Sequence, residues 1–276
     1  MCQCANMPMC QCANELKSFL DSKYDQYNRP EFIETDPIQV PHLFSRREDI
    51  EIAGFLTATL SWGQRKTIIN KSRLLLSLLD NSPYHFITQA AESDYSRFGN
   101  FCHRTFNTTD ALYFLYALKN IYSRHGGLNQ VFEKGFGINK DAGTAIAYFR
   151  SIFFECDFPE RTQKHVPDVG KGSSAKRLNM FLRWMVRRDT RGVDFGFWTS
   201  ISPAWLNIPL DLHTGNTSRK LGLLTRKQND HRSVIELTQR LREFDPADPV
   251  KYDFALFGLG AHPSGWGVSN LISNYG

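Results

Sequence analysis

Apolar side chains recur at helical spacing along most of the chain, whereas the alternation typical of half-buried strands is scarce. The clearest segment, 174–186, carries four large apolar residues at positions i, i+3, i+4 and i+7, namely Leu178, Phe181, Leu182 and Met185. The same period predicts helices over 48–60, 67–79, 109–122, 142–154, 174–186, 211–221, 233–244 and 249–258. The sequence therefore predicts an all-α fold.

The predicted helices are not separated into independent domains. No long Gly/Ser-rich or polar linker lies between them, and no repeat of the kind that builds a helical solenoid is visible. We expect residues 15–276 to form a single helical domain, built as two lobes with a cleft between them. Ahead of it, the hexapeptide MCQCAN at 1–6 recurs at 9–14, which predicts a duplicated, disordered tail over 1–14.

Cysteine and histidine positions bear on metal binding. The two Cys-x-Cys pairs of the tail are compatible with a soft metal ion, but a perfect duplication before the first periodic segment is more typical of a start-site feature. His103, His165 and His262 have no partner at the spacing of metal ligands. The sequence therefore predicts no metal site and no organic cofactor.

Hydropathy and charge indicate the compartment and the partner. No run reaches the roughly 18 apolar residues of a membrane span, and no signal peptide is apparent, so we expect a cytoplasmic protein without membrane contact. The net charge is +5, and the window 161–188 alone holds eight basic residues and one acid. This cluster favours a polyanionic partner, with a solvated helix face as the simpler alternative.

A glycine-rich segment, VPDVGKGSSAK, leads into the predicted helix 174–186. Its glycines permit a tight turn that exposes amide N–H groups, and such amides at a helix N-terminus are a natural seat for a phosphate. A contact of this kind fixes the register of a nucleic acid without reading its sequence. The residues assigned to the nucleic-acid backbone are Gly170, Lys171, Gly172, Ser173, Arg177 and Arg183.

A second segment, PLDLHTGNTSRKLGL, places Asp211 at the head of a predicted helix. Taken alone, an aspartate in this position is most simply an N-cap. The segment nevertheless resembles the Pro-Val-Asp-Thr-His-Val…Arg-Leu-Gly-Leu signature of the helix-hairpin-helix DNA glycosylases of base excision repair. Leu212 and Thr214 depart from that signature. The matching positions are Pro209, Asp211, His213, Leu221, Gly222 and Leu223.

Three further stretches carry the same resemblance. VPDVG at 166–170 is similar to the Leu-Pro-Gly-Val-Gly hairpin of that superfamily, with Asp168 in place of a glycine. YDFALFGLG at 252–260 resembles the helix after the catalytic aspartate, and LTATLSWGQ at 56–64 resembles an early helix that ends in Ser-x-x-Gln. SAKRLNMFLRWMVR at 174–187 also resembles an uncharacterised bacterial family. The resemblance implies a two-lobed all-α fold with a helix-hairpin-helix motif.

The resemblance also implies a lysine nucleophile and a catalytic aspartate, and Asp211 matches the latter. Gly172 occupies the usual lysine register, so the candidates are Lys171 and Lys176, which precede Asp211 by 40 and 35 residues. Both spacings are longer than is usual in the superfamily and are similar to that of the archaeal 8-oxoguanine glycosylase branch. In that branch the lysine opens the second hairpin helix, and this position favours Lys176. Without a catalytic lysine, Asp211 alone would support monofunctional hydrolysis by activating a water.

Chemistry defines what these two side chains must do. A lysine attacks C1′ and forms a Schiff base when desolvation or a nearby cation lowers its pKa. A carboxylate stabilises the developing charge on the sugar or takes the proton of the nucleophile. On a helical wheel Lys176 shares a polar face with Arg183 and Arg187. The catalytic role therefore requires this face to line the cleft rather than contact bulk water.

The damaged base must leave the stack and enter a pocket with aromatic or apolar walls and amide hydrogen bonds. Trp62, Gln64 and Trp266 are the candidates for this pocket, although each is otherwise an ordinary packing residue. The sequence thus predicts a monomeric DNA glycosylase with AP lyase activity at the nucleoid. Its expected partner is double-stranded DNA that carries a damaged base, an oxidised purine and first of all 8-oxoguanine.

Two other functions remain open from the sequence. One is a helix-hairpin-helix protein that binds bent or damaged nucleic acid without catalysis. The other is an all-α protein whose basic face binds a protein or an RNA. Binding that depends strongly on salt but not on a lesion would favour either of them over the enzyme.

Overall fold

The structure of the chain is a computed structural model that describes residues 9–261. Twelve α-helices, α1 to α12, span Met9–Tyr27, Glu31–Thr35, Arg47–Leu60, Arg65–Ser77, Pro83–Gln89, Thr108–Arg124, Leu128–Asn139, Ala142–Phe153, Lys176–Val186, Leu212–Lys220, His231–Phe244 and Tyr252–Ala261. Short 3-10 helices occupy Pro37–Gln39, Pro41–Leu43, Glu92–Phe98, Glu160–His165, Pro203–Trp205 and Pro249–Lys251. Across this range the one sheet is the antiparallel pair β1 (Cys102–His103) and β2 (Phe106–Asn107). The all-α prediction is confirmed.

The eight predicted helices are all present, as α3, α4, α6 and α8 to α12. Most of their ends agree closely with the prediction. The helix α9 begins at Lys176 rather than at 174, because Ala175 adopts a left-handed conformation, with a φ of 48°, that interrupts a right-handed helix. The predicted helix 249–258 begins as the 3-10 helix Pro249–Lys251, and α12 follows it and continues to Ala261.

Four helices, α1, α2, α5 and α7, were not predicted. The helix α7 contains Gly135 and Gly137, and glycine is a poor helix former. A Cβ atom at Gly135 would lie 2.9 Å from the Cα atom of Ala145, so the glycine allows α7 to pack directly on α8. The helix α1 begins at Met9. Residues 9–14 of the expected tail are therefore helical, and residues 1–8 lie outside the described range.

Buried apolar side chains form two clusters. The larger cluster surrounds α3, in which every residue from Ile50 to Leu60 is buried, and includes side chains of α4 to α9. The smaller cluster joins α1, α11 and α12, through Leu20, Leu237 and Leu256 among others. We call the elements around these clusters the larger and the smaller lobe, and α9 belongs to the larger lobe.

Two arginines on the polar face of α9 are buried in a network of ion pairs. Arg183, which is 3% exposed, pairs with Asp194 and Asp253. Arg187, which is 1% exposed, pairs with Asp194 and Asp248. This finding corrects the assignment of Arg183 to a DNA contact, because its guanidinium is almost entirely buried and is already paired with two carboxylates.

Candidate active site

The predicted hairpin joins the 3-10 helix Glu160–His165 to α9 through a tight turn. In this turn the Gly172 N–H donates to the Val169 carbonyl at 3.0 Å, and the Ser173 N–H donates to the Asp168 carbonyl at 3.1 Å. Gly172 has a φ of +84°, a conformation that side chains disfavour and glycine adopts freely. Residues 166–175 therefore form a tight turn that depends on Gly172, between a 3-10 helix and an α-helix.

The turn offers a phosphate fewer amides than the sequence predicted. The amides of Lys171, Gly172 and Ser173 donate within the turn, so they are not directed at an external anion. Gly170, Lys171 and Gly172 are exposed, and the ammonium of Lys171 is the positive group of the turn. The Gly172 carbonyl accepts a hydrogen bond of 3.0 Å from the His231 N–H, which fixes the turn to the start of α11.

Lys176 and Asp211 lie together although 35 positions separate them in the chain. Lys176 is the first residue of α9, and Asp211 is the N-cap of α10, where its Oδ1 accepts from the Thr214 N–H at 2.9 Å. Its Oδ2 lies 3.9 Å from the Lys176 Nζ. The two side chains are 27% and 22% exposed, so both reach solvent. One oxygen of Asp211 caps the helix and the other faces the amine.

Both side chains line a cavity of about 600 Å³. Its walls come from the larger lobe, through α4 and α9, and from the smaller lobe, through Asp211 and α12. Apolar side chains from these elements, including Trp62, Met180 and Phe257, face the same space. A cavity of this volume is typical of sites that bind small molecules or a single base, and polar or charged side chains make up half of the residues that line this one.

Two buried carboxyl groups that the sequence analysis missed also line the cavity. Burial raises the pKa of Asp253 to about 7, although its ion pair with Arg183 opposes this shift. Burial also raises the pKa of Asp36, whose Oδ1 accepts from the Ile38 N–H at 3.0 Å. Asp253 interrupts the apolar stretch 252–260, and a lone acid in such a stretch was the signal available in the sequence.

Trp62 is held from several sides at the wall of the cavity. The ring of His165 stacks on it at 5.9 Å, and the ring of His103 meets it edge to face at 4.8 Å. The Arg177 guanidinium lies 4.9 Å from the centre of the indole and donates to the carbonyls of Thr59 and His165. Trp62 therefore presents a fixed surface to the cavity, as its predicted role in a base pocket requires.

Other predicted residues have different surroundings from those expected. Arg177 lines the cavity, but burial lowers its pKa to about 10 and its guanidinium donates to two backbone carbonyls, which corrects its assignment to a DNA phosphate. Gln64 is exposed ahead of α4 and does not line the cavity, whereas its neighbour Arg65 does. The prediction that Gln64 belongs to the pocket is therefore wrong, because this residue is exposed at the N-cap of that helix. Trp266 lies outside the described residues.

Within residues 9–261 no three His, Cys, Asp or Glu side chains are grouped so that they would hold a metal ion. No helix in the same range is long and apolar enough to cross a bilayer. The ionisable side chains that line the cavity include Lys176, Arg65 and the carboxyl groups of Asp36, Asp211 and Asp253.

Comparisons with known proteins give a family for the chain. No curated protein and no solved structure matches it. Residues 36–262 match the profile of a family described as "Protein of unknown function (DUF2400)". The matched range includes Trp62, Lys176, Asp211 and Asp253, and thus most of the cavity wall. Because the match spans most of its length, the chain belongs to the DUF2400 family.

Proposed function

We propose that the protein is a DNA glycosylase with AP lyase activity, which excises an oxidised purine from double-stranded DNA. The observation that carries the proposal is the 3.9 Å approach of the Lys176 amine to the Asp211 carboxylate inside an open cavity. An amine nucleophile beside a carboxylate, next to a pocket large enough for a base, is the arrangement that this chemistry needs.

The reaction assigns one step to each side chain. The Lys176 ammonium first gives a proton to an acceptor such as the Oδ2 of Asp211, and the neutral amine then attacks C1′. A bond forms between Nζ and C1′ while the glycosidic bond breaks, and the base leaves with the bonding electrons and takes the proton that Oδ2 had received. The Asp211 carboxylate, ionised again, stabilises the positive charge that remains on the sugar and the bound amine. The sugar ring then opens as a proton of the amine moves to O4′, which gives a Schiff base from which β-elimination cleaves the strand.

The pocket suits a flat base that carries several N–H groups. Trp62 and Phe257 supply aromatic surface, and the buried carboxyl groups of Asp36 and Asp253 supply acceptors for N–H donors. 8-Oxoguanine has N–H groups on both of its edges, which makes it the first substrate to test. We place the enzyme at the nucleoid in the cytoplasm, acting as a monomer without a metal or an organic cofactor.

The proposal is tested by incubating the protein with duplexes that contain 8-oxoguanine, uracil, an alkylated purine or thymine glycol. Free base is measured by mass spectrometry and strand cleavage by gel electrophoresis. We expect release of 8-oxoguanine, and we expect Lys176→Gln to lower the rate by at least about 100-fold. Lys119→Gln, a change to an exposed lysine on α6 that has no assigned role in binding or catalysis, is the matched control and should leave the rate unchanged.

Two results would contradict the proposal. The first is release of base at an undiminished rate by Lys176→Gln, which would exclude this lysine as the nucleophile. The second is tight binding of duplex DNA without cleavage of any lesion. That result would favour a helix-hairpin-helix protein that binds nucleic acid without catalysis.

A further inference from the structure

The hairpin β1–β2 ends in a two-residue turn with an unusual backbone conformation. His103 pairs with Phe106, so Arg104 and Thr105 form the turn. Arg104 has a φ of +55°, whereas Thr105 is not in the left-handed region. A two-residue hairpin turn with a positive φ at its first position normally takes glycine there. An arginine at this position adopts a strained conformation, and such strain is often retained where a side chain has a function.

Neighbouring side chains hold this turn in place. The ring of His103, just before it, contacts Trp62 edge to face, and its Nε2 lies 3.3 Å from the Trp62 carbonyl. On the other side, the Arg161 Nη2 donates to the carbonyl of Thr105 at 3.2 Å. The turn is therefore attached to the wall of the cavity, and the position of Arg104 follows from that attachment.

The side chain of Arg104 lies at the rim of the cavity. Its Nη1 is 3.0 Å from the place where a Cβ atom of Gly63 would stand, and Gly63 itself lines the cavity. Gly63 has a φ of +105°, so glycine is favoured here by both the backbone and the close approach of the arginine. Arg104 is exposed, and within residues 9–261 no carboxylate pairs with it.

Other positive charges accompany Arg104. Lys66 is exposed near the start of α4, and Arg65 lines the cavity with its guanidinium over the ring of Phe257. Lys71 is a further cation on α4, and burial, together with the charges of Arg104 and Lys71, lowers the pKa of His103. This rim is therefore positive, in contrast to Arg183 and Arg187, whose charges are neutralised inside the protein.

We propose that Arg104 binds a phosphate of the DNA strand whose base enters the cavity. The β1–β2 turn is then a second backbone contact, in addition to Lys171 of the 166–175 hairpin. A guanidinium without a carboxylate partner is well matched to a phosphate, because its planar donors bind two oxygens at once. The inference rests on the proposed function, since it needs DNA at the mouth of the cavity.

The experiment measures binding as a function of salt. Fluorescence anisotropy gives the affinity for a duplex with a central tetrahydrofuran abasic analogue between 50 and 200 mM NaCl, roughly the range in which phosphate contacts are resolved. The plot of the logarithm of the association constant against the logarithm of the salt concentration has a negative slope. Loss of one phosphate contact makes this slope less steep by about 0.9, which corresponds to roughly eightfold weaker binding at 0.1 M salt. We expect this change for Arg104→Gln, and a slope close to that of the unaltered protein for Arg104→Lys.

Two further variants separate binding from folding. Arg104→Gly removes the guanidinium and also relieves the backbone strain, so we expect a higher unfolding temperature together with the weaker binding of Arg104→Gln. Arg73→Gln changes another exposed arginine, which lines a separate groove and donates only to Gln39. We expect it to leave the slope unchanged.

An unaltered slope for Arg104→Gln, an equal loss for Arg73→Gln, or no duplex binding by the unaltered protein would overturn the inference. The covalent step can be followed independently, by borohydride trapping at saturating protein. Trapping by Lys176 with an unaltered Arg104→Gln slope would overturn this inference alone. A changed slope without trapping would overturn the proposed enzyme and leave Arg104 as a phosphate contact.

Discussion

In the proposed enzyme, the single carboxylate of Asp211 has both a structural and a chemical role. Its Oδ1 caps α10 and its Oδ2 faces Lys176, so the helix N-terminus fixes the direction of the side chain. An N-cap is normally replaceable by asparagine with little loss of stability. A carboxylate that supports a positively charged transition state is not replaceable in this way, because the amide carries no charge.

This difference gives a prediction for two variants of Asp211. We expect Asp211→Asn to unfold at the same urea concentration as the unaltered protein, and Asp211→Ala to lose about 1 kcal/mol of stability with the cap. Both variants should lose base excision by at least about 100-fold. Equal excision by Asp211→Asn and the unaltered protein would show that the residue acts only as a cap.

Asp253 gives a prediction about pH. Burial raises its pKa to about 7, whereas the ordinary value of 3.8 applies in the unfolded chain. The folded protein therefore holds an extra proton between about pH 4 and pH 7, and the associated stability is lost as the pH rises through this window. Asp253→Asn does not ionise. As the pH increases from about 4 to 7, the free energy of unfolding of Asp253→Asn should therefore rise relative to that of the unaltered protein, by at most about 4 kcal/mol.

Urea unfolding of both proteins at several pH values between 4 and 8 measures this difference. A constant difference between them would show that Asp253 does not titrate in this range.

The buried arginines near Asp253 show what could not be predicted from the sequence. Arg177 and Arg183 were assigned to DNA from the sequence because they belong to a cluster of basic residues. Such a cluster does not show which groups its members contact in the fold. For Arg183 the partner is Asp253, an aspartate 70 positions later in the chain.

At the scale of elements, helical periodicity was sufficient to locate most of the fold. It located α3 and α9, for example, because each has a long apolar face against the larger cluster. It missed α7, which contains two glycines, of which Gly135 is explained by the close contact with α8. It also missed the β1–β2 hairpin, because two-residue strands are too short to show an alternating pattern.

The hairpin before α9 allows a matched test of its two glycines. Gly172 is in the left-handed region and a Cβ atom would meet nothing within 4 Å, so Gly172→Ala should cost about 1 kcal/mol through backbone strain alone. Gly170 has no such conformation, and Gly170→Ala should stay within about 0.5 kcal/mol of the unaltered protein. Urea unfolding measures both, and equal losses would mean that the turn is formed differently.

At the scale of the whole molecule, the cavity depends on how α9 is joined to the segments around it. Arg187 pairs with Asp189, Asp194 and Asp248, and it donates to the hydroxyl of Tyr24 on α1. The network thus connects α9 of the larger lobe with the helix that supports the smaller one. Lys176 and Asp211 lie on these two parts, so their distance depends on that connection.

Removal of Arg187 should therefore affect the entire fold. We expect Arg187→Met to lower the free energy of unfolding by about 3–5 kcal/mol, because it leaves buried carboxylates without their partner. Arg240→Met, on the exposed surface of α11, should change it by less than about 0.5 kcal/mol. A small effect of Arg187→Met, measured by urea unfolding, would show that the network adds little to stability.

The central claim is that the Lys176 amine reacts with a sugar carbon of damaged DNA. Borohydride reduction during incubation with an 8-oxoguanine duplex, followed by digestion and mass spectrometry, tests it most directly. The account predicts a covalent adduct on the peptide that contains Lys176, and no adduct for Lys176→Gln. An adduct on another lysine, or no adduct with any lesion, would contradict it.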